Sequence, residues 1–76
     1  MQASPTQLTG AELLAWRRGL LERGGRSVDL DWLLDLEGGV GWQRLQALRL
    51  HPQHAVPLRC ALADLEVLWA RHLASH

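Results

Sequence analysis

A chain of 76 residues with eight basic side chains, all of them arginine, and eight acids carries no net charge. Balanced, lysine-free charge makes a poor electrostatic partner for DNA or RNA, one cysteine rules out an internal disulfide, and no apolar run approaches the ~20 residues of a membrane span. What remains is one small, leucine-rich helical domain of the size that buries only about 60% of the surface its unfolded chain exposes.

The start, "MQASPTQ", is polar and carries Pro5, so residues 1–7 read as disordered. It lacks a charged start followed by an apolar segment, and with the unpaired Cys60 this reads as an unexported, cytoplasmic chain. The first helix has a sharp entry. Thr9 and Glu12 have the spacing of a capping box, and Leu8 and Leu13 that of a hydrophobic staple across it. At 100° per residue Leu13, Leu14, Trp16, Leu20 and Leu21 share one broad face, and the helix should stop at Gly24 and Gly25. Arg17 falls within that apolar face. Its stem can cover apolar surface while the head reaches water, or the guanidinium can pair with an acid of the next helix.

A second helix is expected from a Ser27 cap to about Glu37, closing on Gly38 and Gly39. Val28, Trp32 and Leu36 project to one side, and Leu30, Leu33 and Leu34 continue around it. Apolar residues over most of the circumference predict the central helix of a bundle, with Trp32 in the core. Asp31 and Asp35 share the strip left free, which faces solvent or an arginine. Asp29 lies in the first turn, where a carboxylate suits the helix dipole. Residues 41 to 50 form a short third helix with Trp42, Leu45 and Leu48 inward. "HPQHAVPL" reads as a loop broken by Pro52 and Pro57. A last helix starts near Ala61 without a good capping residue, Asp64 compensating in part, and carries Leu62, Leu65, Leu68, Trp69 and Leu73 as its stripe. The fold class is all-α, a small irregular bundle of four to five helices over residues 8–76.

Sites of chemistry are hard to find. The aspartates of the second helix do not make a calcium loop, which needs oxygen ligands at alternate positions and a glycine at the sixth. His72 and His76 stand four apart and His51 and His54 form another near pair, and Cys60 with these histidines could supply the four ligands of a closed zinc site, but there is no second cysteine, and His72 and His76 project toward the apolar stripe. Packing, or contact with something beyond residue 76, is the simpler reading. Nothing near Cys60 would lower its pKa, and the glycines sit at helix ends, not in a phosphate-binding loop. The expectation is a chain with no catalytic, cofactor or metal residue of its own.

The order of elements nevertheless resembles a known domain. Trp16-Arg17 in a capped helix, then Asp31-Trp32-Leu33-Leu34, then "LQALRL" at 45 to 50, then "LADLEVLWARHL" at 62 to 73 is similar to the N-terminal helical domain of the release factor glutamine methyltransferases, the HemK/PrmC family, in its cyanobacterial form. The resemblance spans residues 8 to 74. It implies an enzyme that moves a methyl group from S-adenosylmethionine to the glutamine of the Gly-Gly-Gln motif in peptide chain release factors, in translation termination. The cofactor would belong to a separate Rossmann-like catalytic domain, whose glycine-rich loop and Asn-Pro-Pro-Tyr motif are not in these residues. The implied partners are release factors and that catalytic domain, with no nucleic acid or membrane, and the fragment itself a monomer. Exposed Arg44 and Arg71 are the candidates for release-factor contact, and Trp69, His72, Leu73 and His76 for a face against the catalytic domain. A free-standing helical interaction module, holding a partner helix in a groove, is the alternative.

Overall fold

A computed structural model describes residues 8–75, so the expectation of disorder over residues 1–7 and the placement of His76 lie outside it. Four α-helices make a small bundle: α1 (Gly10–Leu21), α2 (Ser27–Leu33), α3 (Trp42–Leu50) and α4 (Leu62–Ala74). A π-helical turn, Leu34–Gly38, extends α2. Two short strands, β1 (Leu8–Thr9) and β2 (Ala55–Val56), pair antiparallel with Leu8 opposite Val56.

The entry to α1 accounts for its first free amides one by one. Thr9 Oγ1 accepts from the Glu12 amide at 3.2 Å, while the Glu12 carboxylate takes the Thr9 amide at 2.8 Å. The amides of Gly10 and Ala11 donate to the carbonyls of His54 (2.9 Å) and Pro52 (2.8 Å). The segment expected to be a plain loop therefore supplies acceptors that a helix N-terminus lacks, and β2 is a consequence of that docking. Gly10 leaves room for it. A Cβ there would stand 3.0 Å from Leu48 Cδ2 and 3.3 Å from the Pro52 carbonyl oxygen.

Two apolar clusters fill the interior. Leu13 and Leu8, the expected staple, lie in the larger one with Leu34, Val40, Leu45, Leu48, Val56 and Leu65. The smaller holds Leu20, Leu30 and Trp69 between α1, α2 and α4. Trp69 is 1% exposed. Its close neighbour is backbone: Gly25, at φ +90°, passes so near the indole that a Cβ would lie 2.5 Å from Cζ2. A side chain at Gly25 would thus be both strained and in collision.

Three expectations are corrected. Trp32 is 67% exposed, with Val28 and Leu36 also outward, and it is Leu30 and Leu34 that are buried. Trp42 is 56% exposed, so α3 turns only Leu45 and Leu48 inward. Ser27 does not cap α2; Arg26 holds that position, with no side-chain hydrogen bond. The absent cap on α4 was foreseen: Ala61 offers none, and Asp64 stands in the first turn. No described helix is long and apolar enough to cross a membrane.

Candidate protein interface

An ion pair joins α2 to α1. Arg17 Nε donates to Asp31 Oδ1 at 2.7 Å and its Nη2 to Asp31 Oδ2 at 3.1 Å. Both side chains are largely buried, at 14% and 16% exposure. This two-pronged pair joins α1 to α2 as the second reading of Arg17 anticipated, and it matches the rotation of α2. With Asp31 turned to α1, Leu30 and Leu34 go inward and Trp32 outward. A second polar link, Trp16 Nε1 donating to Glu66 Oε2 at 2.8 Å, ties α1 to α4.

Around the exposed Trp32 lies an open groove of about 470 Å³, lined by Ser27, Val28, Asp31, Trp32, Asp35 and Trp42. Two indoles and a valine supply apolar surface, and Asp35 supplies a carboxylate with no cation beside it among the described residues. Asp35 Oδ1 would stand 3.5 Å from a Cβ on Gly41, which places the acid at the start of α3, next to Trp42.

On the other side of Trp32, toward α4, Asp29 lies 3.3 Å from His72 Nε2 and 3.5 Å from Arg26 Nε. Partial desolvation works to raise the Asp29 pKa, but hydrogen bonds and charge from His72 and Arg26 outweigh it and leave the group below its ordinary value. His72 also stacks on Trp69, ring centroids 5.1 Å apart.

The residues expected on a face toward another domain divide accordingly. Trp69 lies in the chain's own core, in line with its place on the apolar stripe of the last helix, while His72 and Leu73 reach the surface in part. Arg44 and Arg71 are both exposed, Arg44 on α3 beside His51 and His54, and Arg71 on the last turns of α4. His51 and His54 stack on each other at 4.8 Å. Cys60 donates to the Glu37 carbonyl at 3.4 Å. Burial, with Asp64 and Glu37 nearby, pushes its pKa up, so the thiolate is disfavoured.

The fold and these contacts can be set beside known proteins. Over 63 residues, 83% of the chain, it is 48% identical to the release factor glutamine methyltransferase of a Prochlorococcus marinus strain. This identity supports a place for the chain with the N-terminal domain of the release factor glutamine methyltransferases. The match spans 22% of that relative's length. No family model matches the chain, and no solved structure matches it.

The described residues do not fit the cofactor of a methyltransferase. Gly24, Gly25 and Gly39, the glycines at positive φ, follow helix C-termini, and the space above Gly25 is filled by Trp69. What the described residues offer is surface. The groove on Trp32 and Trp42 was missed by the sequence reading because both tryptophans were assigned inward.

Proposed function

We propose that this chain is the release-factor-recognising domain of a cytoplasmic, S-adenosylmethionine-dependent methyltransferase that modifies the glutamine of the Gly-Gly-Gln motif in release factors. The observation that carries this is the 48% identity over 63 residues to a release factor glutamine methyltransferase. The physical argument agrees with it. Placing one glutamine of a large protein in a reactive geometry uses binding energy gathered away from the reacting atoms, and a small helical domain with exposed cations can gather it. In this reading Arg44 and Arg71 meet acidic groups of the release factor. His72 and Leu73, with His76, face a catalytic domain that holds the cofactor.

The test is calorimetric titration of the chain with a release factor. Saturable binding is expected, weakened about twofold to fivefold by Arg44→Ala and by Arg71→Ala, the range for exposed charges, and unchanged by Arg18→Ala on α1. Absence of binding would remove the recognition role. Binding indifferent to both substitutions would keep the role and move the contact elsewhere.

A further inference from the structure

We propose that the groove between α2 and α3 is a docking site for an arginine-bearing, otherwise apolar polypeptide segment. The occupant follows from the chemistry of the walls. Val28, Trp32 and Trp42 are 62%, 67% and 56% exposed, a concentration of large apolar surface that a monomer rarely leaves open without use. The two tryptophans come from different helices and line one concave surface, so the groove is made by the packing of α2 against the start of α3.

The charge in the groove selects among segments. Asp31 is already held by Arg17 through two hydrogen bonds, whereas Asp35 has no cation beside it among the described residues. A guanidinium matches this arrangement in two ways at once. Its fork can meet the Asp35 carboxylate, and its flat face can lie on an indole, which attracts a cation to the ring. An acidic segment would meet Asp35 and Asp31 with like charge. A purely apolar one would cover Asp35 without giving it a partner, a desolvation cost with no return. Aliphatic residues flanking the arginine fit against Val28 and the second indole.

This inference does not rest on the release-factor reading, since it concerns a surface distinct from Arg44 and Arg71. The experiment uses the whole 76-residue chain, labelled with nitrogen-15, and the peptide Ac-Leu-Arg-Leu-NH2. A second probe replaces arginine with citrulline, which keeps the shape and removes the charge. The four tryptophans give four indole N–H signals. Those of Trp32 and Trp42 should move saturably with the arginine peptide. Those of the half-buried Trp16 and the enclosed Trp69 should stay in place and report that the chain is intact. Citrulline, or Asp35→Asn in the protein, should weaken binding at least about tenfold, the loss of one good charged contact. Equal affinity for both peptides would overturn the proposal, as would no saturable shift at millimolar peptide. So would Trp32 and Trp42 signals that move with protein concentration alone, which would give the groove to a second copy of the chain.

Discussion

Trp69 and Trp32 stand on facing helices, and the molecule treats them in opposite ways. Trp69 is enclosed by Leu20, Leu30 and the bare backbone of Gly25, and its indole N–H is buried without a partner among the described residues. Trp32 lies open beside Trp42 and Asp35. The residue type is the same, and so is the abundance of leucine around each. The difference comes from neighbours elsewhere in the chain: a glycine that lets backbone approach one indole, and an ion pair that turns the other outward. Aromatic character alone therefore says little about which tryptophan holds a small domain together.

The largest effect should follow from removing that contrast at its buried end. Trp69→Ala leaves a cavity in the smaller cluster and should cost about 3–5 kcal/mol, enough to unfold much of a domain whose total stability is of the same order. Trp32→Ala should stay within about 0.5 kcal/mol of wild type, as exposed substitutions do. Chemical denaturation followed by circular dichroism compares the two. A reversed order would mean that α2, not α4, supplies the central aromatic, as its apolar circumference first suggests.

A smaller effect sharpens the cause of the contrast. Arg17→Met removes the partner of a largely buried carboxylate and should cost about 1–2 kcal/mol, less than a fully enclosed pair because both side chains keep some solvent. Asp31→Asn in the same background should recover part of the loss, since the orphaned charge is then gone. If the Trp32 indole signal stays unmoved in Arg17→Met, the ion pair does not set the rotation of α2.

The smallest effect belongs to Asp29, on the side of Trp32 toward α4. Its pKa in the folded chain lies below the ordinary value of 3.8, so the unfolded chain binds its proton more readily. The stabilisation is complete above the unfolded value and disappears as pH falls through the folded one. Melting temperatures recorded from about pH 5 down to about pH 2 should fall less steeply for Asp29→Asn than for wild type. Matching slopes would show that the contact with His72 and Arg26 does not persist in solution.

Local rules carried much of the architecture. The Thr9–Glu12 capping box and the bounds of α3 and α4 could be read from residues a few positions apart, because caps and helix periodicity are local statements, and the place of Arg17 on an apolar face pointed to an acid of α2 as its partner; α1 itself ends earlier than its glycines suggest, at Leu21. The family was legible as well, since it depends on the order of such elements along the chain. The rotation of α2 was not. A helix apolar over most of its circumference has several acceptable inward faces, and the choice rests on Arg17, fourteen residues away in sequence. The β1–β2 pairing, the burial of Trp69 against Gly25 and the groove on Trp32 and Trp42 belong to the same class. Each depends on which distant segments meet, so only the tertiary structure decided them.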